Sequence, residues 1–445
     1  MTIKKTPVAG KIEIWAWAMF DFANSGYTTV VLTAVFNAYF VSTIYHSTGS
    51  NDGAATFYWS VTMAIANLLV LLTAPVIGAV VDVRANKKRW LAASTVGCVV
   101  FTASLSLVGP GDLVMAMILV VLATIMFGTG ENLIAAFLPE ISRVETMGRI
   151  SGFGWSLGYI GGMLVLGICL VYVQVAQATG ATAEEFVPGT MLITAAAFAL
   201  AALPTFIWLQ ERARPLSSLA TGSAAFRHTL PAALSRLWST LKRIRSYRDL
   251  FVLLLSIAFY SCGVNTVITL AAIYATQVFA FETADTIVMI IVVNITAAIG
   301  AFAFGILQDR IGSKRALVLS LLTWITAVVV AYLSQERSGF WIAANLVGIA
   351  MGSSQSAGRA LVGQFSPKEK AGEFFGLWGL SIKLAAIVGP LSYGLITLWT
   401  GGRHRTAILS TLCFFIIGLA LLLLVDEKRG RQAAKEPLRN GVNSG

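Results

Sequence analysis

Gly305-Ile-Leu-Gln-Asp309-Arg310-Ile-Gly312-Ser-Lys314-Arg315 closes one apolar run of the chain and opens on a basic turn. A near copy, Gly78-Ala-Val-Val-Asp82-Val-Arg84-Ala-Asn-Lys87-Lys88, closes another apolar run 227 residues earlier, and Lys87 falls on Lys314 at that offset. Further on, Gly148 and Gly152 fall on Gly372 and Gly376 at an offset of 224. An internal repeat of this length makes the chain two copies of one unit. Both copies run in the same sense, apolar run first and basic turn second, so the repeat is parallel.

Working outward, the unit is made of membrane-length segments. The chain has 445 residues, 57% hydrophobic and 12% charged, with a mean hydropathy of +0.77. Soluble domains carry about 25% charged residues, which excludes a soluble enzyme, and disorder needs low hydrophobicity. Twelve stretches are long enough to cross a hydrocarbon core of about 30 Å as helices. They run over 15–40, 57–81, 90–108, 112–136, 151–175, 189–209, 250–277, 284–307, 315–334, 340–364, 374–399 and 404–425. Continuous apolar runs such as 250–257 and 408–425 exclude the alternating strands of a membrane barrel. The reading is an all-α integral membrane protein of two parallel six-helix bundles, 1–209 and 249–425. A basic linker (210–248) joins them and a tail (426–445) follows.

The net charge of +11 would suggest nucleic acid in a soluble protein. Its distribution excludes that partner. With the N-terminus inside, the inner segments hold 27 basic and 12 acidic residues, and the outer loops hold 3 and 7. This asymmetry places both termini in the cytoplasm of a multi-pass inner-membrane protein. The linker, rich in Arg and interrupted by Pro, Ser and Gly, reads as a connector lying on anionic headgroups. No cleavable signal precedes the first span, which is long and carries Asp21. Cys98, Cys169, Cys262 and Cys413 lie in spans without CxxC pairing, and the three histidines are scattered, so no metal or cofactor is expected. No Gly-x-x-x-x-Gly-Lys-Ser/Thr motif occurs; energy comes from a gradient or transport is passive.

The second copy of the opening motif, Gly305, Asp309, Arg310, Gly312, Lys314 and Arg315, is similar to the signature of the major facilitator superfamily. The first copy keeps Gly78 and Asp82 but shifts the base to Arg84 and lacks the turn glycine. The resemblance implies twelve helices and a latch role for both motifs, with the aspartate facing a neighbouring helix N-terminus. Longer stretches narrow the family. Phe20-Asp21-Phe22-Ala23-Asn24-Ser25-Gly26-Tyr27, Ala136-Phe137-Leu138-Pro139-Glu140-Ile141, the glycine-rich run from Ser151 to Gly162, and Glu373-Phe374-Phe375-Gly376 with Ser381, Lys383, Gly389 and Pro390 resemble the autophagy-related vacuolar amino-acid effluxer family and its bacterial relatives. That resemblance implies efflux of amino acids. The superfamily default is a monomer.

Ionisable groups inside a span cost about 2.5–3.5 kcal/mol each at a helix centre. Four are present: Asp21 in span 1, Glu131 in span 4, Arg359 in span 10 and Lys383 in span 11. Two are negative in the first half and two positive in the second, so pairing across the halves is open to them. Asp21, Asn24, Ser25 and Thr28 share one helix face at i, i+3, i+4 and i+7. Ser261, Asn265 and Thr269 form a corresponding stripe in span 7, and Gln355 lies one turn from Arg359 in span 10. In the superfamily fold, spans 1, 4, 7 and 10 surround the cavity. All four charges fall in the cytoplasmic half, where they either bind substrate and protons, close an inner gate, or form static pairs. Glycines at 154, 158, 161 and 162 read as close helix packing, and Trp155 and Trp378 as candidate cavity residues. The function expected is a secondary transporter, not an enzyme. It exports a small zwitterion or carboxylate, such as an amino acid, with proton coupling. A lysophospholipid or other amphiphile, and a non-transporting receptor or scaffold, are the alternatives.

Overall fold

The computed structural model describes residues 9–45, 52–213, 231, 235, 238, 247–281, 283–400 and 404–435. The long helices are α1 Lys11–Ile44, α2 Asp52–Arg84, α3 Lys87–Leu107, α4 Leu113–Ala135, α5 Met147–Ala178 and α6 Ala183–Trp208 in the first half. In the second half they are α7 Arg248–Phe279, α8 Thr283–Ile311, α9 Ser313–Leu333, α10 Arg337–Phe365, α11 Ala371–Trp399 and α12 His404–Leu424. A short helix in the tail, α13, spans Glu427–Lys435. Most of the linker expected at 210–248, together with Lys4, Lys5, Arg403 and the chain after 435, lies outside the described residues.

Among the described residues eleven helices are long and apolar enough to cross a membrane. The twelfth expected span, α10, has the length at 29 residues but falls short in apolarity. The cause is its second half, where Ser353, Ser354, Gln355, Ser356 and Arg359 crowd together. These three serines are wholly buried in the bundle. A helix this polar is tolerated at membrane depth because protein, not lipid, surrounds its polar face. Leu164, Val171, Ile299, Leu319 and Leu424 are exposed on the outside, as a lipid-facing ring requires. Prolines inside α2 (Pro75), α6 (Pro188, Pro204) and α11 (Pro390) are of the kind membrane helices accommodate.

The packing repeats with a shift of six helices. In the first half α1 packs on α5 and α6, α2 on α4, α3 on α4 and α6, and α5 on α6. In the second, α7 packs on α11 and α12, α8 on α10, α9 on α10 and α12, and α11 on α12. Between halves α2 meets α11 and α5 meets α8, while α4 meets α11 and α10 meets α5. Each of these pairs is exchanged with the other by the same shift, which is a two-fold relation along the bundle axis. The starts of α1, α3, α7 and α9 gather with the ends of α6 and α12, here termed the terminal end. Odd helices leave it and even helices return.

Helix registers sharpen the repeat. Lys87 opens α3 and Ser313 opens α9, an offset of 226 that also relates their ends at Leu107 and Leu333. Lys314 therefore corresponds to Lys88, not to Lys87 as the sequence offset suggested. The first turn is one residue longer: Ala85 takes the positive φ of 51° that Gly312 takes at 96°, and Asn86 is the added residue. Leu113 and Arg337 open α4 and α10 at an offset of 224.

No hydrophobic drive pulls helices together inside lipid, so close contact needs small residues. A Cβ on Gly78 would stand 2.0 Å from the Gly372 carbonyl oxygen, and one on Gly376 would stand 2.5 Å from that of Ala74. At the related seam a Cβ on Gly152 would stand 2.4 Å from the Ala301 oxygen, and Gly305 touches Gly148 and Gly152. The glycines of the two sequence motifs are thus the contact points of α2 with α11 and of α8 with α5.

Candidate functional site

A cavity of about 470 Å³ lies between the halves, and Asp21, Glu131, Arg359 and Lys383 all line it. Arg359 Nη1 is 2.7 Å from Asp21 Oδ2. Lys383 Nζ is 3.5 Å from Glu131 Oε2. Each pair joins an acid of the first half to a base of the second. The remaining lining continues from this layer toward the end opposite the termini, through the exposed Thr28 and Thr33 of α1, Tyr274 of α7, Met289 of α8 and Phe340 of α10. Thr28–Ala34 is π-helical, which widens α1 along that wall. Asp21 is deeper than the sequence boundary implied. Since α1 begins at Lys11, Asp21 lies about ten residues, or ~15 Å, along its helix.

The two pairs are built differently. Arg359 is 3% exposed. Its Nε donates to Ser151 Oγ at 3.1 Å and its Nη2 to the Ser151 carbonyl at 2.9 Å. The guanidinium lies 4.8 Å from the Trp17 ring centroid and 5.3 Å from that of Trp155. Gly154 makes room, since a Cβ there would stand 2.4 Å from Asp21 Oδ2 and 2.8 Å from Trp17. A planar, five-donor cation held by stacking and a fork of hydrogen bonds is a role lysine cannot fill. The Lys383–Glu131 pair is wetter, with side chains 12% and 25% exposed, and Lys383 Nζ lies 5.7 Å from the Phe127 ring centroid.

The polar stripes are only partly in the cavity. Asn24, Ser25, Thr28, Asn265 and Gln355 line it, as do Trp155 and Trp378. Thr269 does not: it is exposed on the bundle surface, and Thr266 takes the place its spacing suggested. Over that stretch α7 presents Leu270, Ala271 and Tyr274 to the cavity instead.

Beneath the cavity, each motif aspartate meets a helix start of the other half. Asp82 Oδ1 accepts Gly372 N–H at 2.9 Å and its Oδ2 accepts Glu373 N–H at 2.8 Å, at the opening of α11. Asp309 accepts Gly148 N–H at 3.0 Å and Arg149 N–H at 3.3 Å, at the opening of α5. A carboxylate at a helix N-terminus satisfies orphan N–H groups and complements the dipole. Arg310 is exposed and Arg84 half-buried. The wholly buried Lys87 joins the first latch, 2.7 Å from Glu140 Oε1 and 3.8 Å from Asp82 Oδ1. In the second half neutral groups stand there: Ser313 Oγ bonds Gln364 Oε1 at 3.0 Å and accepts from Gln308 Nε2 at 2.8 Å.

Sequence reasoning missed a second symmetric set. Arg212 grips Glu13 with Nη1 at 2.5 Å and Nη2 at 2.6 Å. Arg429 grips Asp249 with Nε at 2.6 Å and Nη2 at 2.8 Å. Glu211 accepts the N–H groups that open α3, and Glu427 those that open α9. Burial lifts the Glu211 carboxyl above its usual range, against the pull of the Lys88 and Lys87 N–H groups. The signal was present: an acid in the first turn of α1 and α7, and Glu-Arg or Asp-Glu-Lys-Arg just past α6 and α12. These charges looked like ordinary helix-flanking residues.

The profile of the family described as “Vacuole effluxer Atg22 like” matches residues 54–435. The chain belongs to that family. Among curated relatives of this Atg22-like chain, the “Uncharacterized MFS-type transporter YxiO” of Bacillus subtilis (strain 168) is 28% identical over 95% of the chain and 96% of its own length. “Autophagy-related protein 22” of Yarrowia lipolytica is 26% identical, covering 69% of this chain; the match spans 56% of the fungal protein. Among solved structures, the human organic anion transporter MFSD10 (TETRAN) superposes with a TM-score of 0.69 at 15% identity, covering 93% of this chain and 99% of that one. The transporter FucP in its outward conformation superposes at 0.67 and 15% identity, covering 93% and 98%. The fold of this Atg22-like protein is that of the major facilitator superfamily, and it is a multi-pass membrane transporter of that type.

Proposed function

We propose that the protein moves a small zwitterion or carboxylate, such as an amino acid, by proton-coupled alternating access, and that its working direction is export. The observation that carries this is the pair of inter-half ion pairs, Asp21–Arg359 and Glu131–Lys383, on the inner side of the cavity. A zwitterion presents one charge of each sign and can exchange partners with both pairs. A substrate carboxylate reaching Arg359 or Lys383 releases an acid, and the wetter Glu131 is placed to take up a proton. With the basic terminal end in the cytoplasm of the inner membrane, as the positive-inside rule directs, the latches close the cytoplasmic side and the cavity faces out. Opening requires Asp82 and Asp309 to leave the α11 and α5 starts while the halves rock about their glycine seams. The chain works as a monomer, since the cavity is complete within it.

The test is amino-acid flux in proteoliposomes under an imposed pH gradient. The wild type should show gradient-driven flux, and Glu131→Gln should keep exchange while losing response to the gradient. Unchanged gradient-driven flux in Glu131→Gln would remove Glu131 from coupling. No flux of any solute would favour a scaffold.

A further inference from the structure

The cavity is lopsided. The first half lines it with α1, α4 and α5 only, whereas all six helices of the second half contribute. On that side it runs past the central helices to Ala331 of α9 and to Ile408 and Thr411 of α12, inside the six-helix core. Among the described residues the cavity has no such lobe in the first half, and the registers show why. At the position of Ala331, α3 carries Leu105, and at that of Ala344, α4 carries Val120. Leu105 and Val120 are buried and fill their half; Ala331 and Ala344 leave theirs open.

We infer that this lobe is a subsite for the apolar tail of an amphipathic substrate whose charged head lies in the ion-pair layer. The inference rests on the transport reading above and adds the second part of the ligand. Two hydroxyls in the lobe are already engaged by the chain: that of Tyr274 donates to the Ala331 carbonyl at 3.1 Å and that of Thr411 to the Ile408 carbonyl at 2.6 Å. Around them Val328, Ala331, Ala344 and Ile408 line the lobe with hydrocarbon. In the head layer the balance is opposite. Asn24 Oδ1 and Trp155 Nε1 are buried without a hydrogen-bond partner, and both residues line the cavity. An acceptor and a donor left open beside Asp21 and Arg359 suit an ammonium and a carboxylate. The volume of about 470 Å³ falls in the range, about 300–1,000 Å³, that encloses drug-sized ligands. A head group alone would leave most of it empty.

The experiment uses straight-chain 2-amino acids of constant head: alanine, norvaline, 2-aminooctanoate and 2-aminodecanoate. Each is measured for KM in proteoliposomes holding the full chain. In the wild type KM should fall about three- to fourfold per added methylene until the lobe is full. Ala331→Leu with Ala344→Val transplants the first half's own residues and should shrink the ratio of KM between alanine and 2-aminooctanoate at least tenfold. Ala344→Val alone should shrink it in part, and serves if the double variant does not fold. Arg359→Gln should weaken every member alike. A KM independent of chain length in the wild type, with alanine still transported, would overturn the lobe and leave the transport reading standing. So would an unchanged length dependence in the filled variants. No flux for any member would overturn both.

Discussion

At the scale of single residues, Arg359 does the most. It ties Asp21 of α1, Ser151 of α5 and two indole faces to α10. Arg359→Lys keeps the charge but loses the fork and the stacking, so uptake should drop at least tenfold in vesicle assays at matched expression. Lys383→Arg, at the wetter pair, should cost only a few-fold. Gly154→Ala should damage the same site without touching a charge, because its Cβ would crowd Asp21 and Trp17. Its flux should resemble that of Arg359→Lys while the protein still purifies as a single species; wild-type flux in Gly154→Ala would refute the crowding argument. The four charges were legible in the sequence because an ionisable residue in an apolar run is rare enough to stand out. Ser151, Gly154 and Trp17 were not, because serine, glycine and tryptophan are common in membrane helices and their partner is some 200 residues or more away in sequence.

At the scale of elements, the two latches use one geometry in different electrostatic settings. Asp82 has the buried Lys87 at 3.8 Å, whereas Asp309 has the largely exposed Arg149 at 3.8 Å and neutral Ser313 and Gln364 nearby. Removing either aspartate charge from a helix start should weaken closure by about 0.3–1 kcal/mol, up to ~2 where partly buried. Asp82→Asn and Asp309→Asn should each lower labelling of a cysteine placed at Thr28, because the cavity then spends more time open to the other side. Rising labelling would contradict the latch role. Lys87→Met strands Glu140 and Asp82 inside the protein, and breaking a buried pair in this way costs about 3–5 kcal/mol. The purified variant should melt well below wild type, and Lys87→Arg should recover part of the loss. At the far end, Arg337 donates from Nε to the Phe279 carbonyl at 3.1 Å and Arg405 to that of Tyr332 at 3.1 Å. Arg337 and Arg405 are thus helix C-terminal caps for α7 and α9.

At the scale of the whole molecule, the two latches lie on separate seams, α2 with α11 and α8 with α5. Asp82→Asn and Asp309→Asn should therefore add nearly independently in the labelling assay, whereas Asp21→Asn and Arg359→Gln, which share one pair, should not. The sequence by itself determined the class, the parallel repeat and the four charges within apolar runs, because these depend on composition and on spacing along the chain. It counted α10 among the twelve spans and marked Gln355 and Arg359 on it; that so polar a helix is tolerable there shows only in its burial among neighbours. It also set Lys87 opposite Lys314, since a one-residue difference in a turn is invisible until the helix starts are known. Which acid meets which base, where Thr269 points, and that the cavity invades one half alone were decided by tertiary structure. Those outcomes rest on contacts between segments far apart in the chain, and on the difference of a few methylenes between Ala331 and Leu105 or Ala344 and Val120. Nothing along a single helix records them.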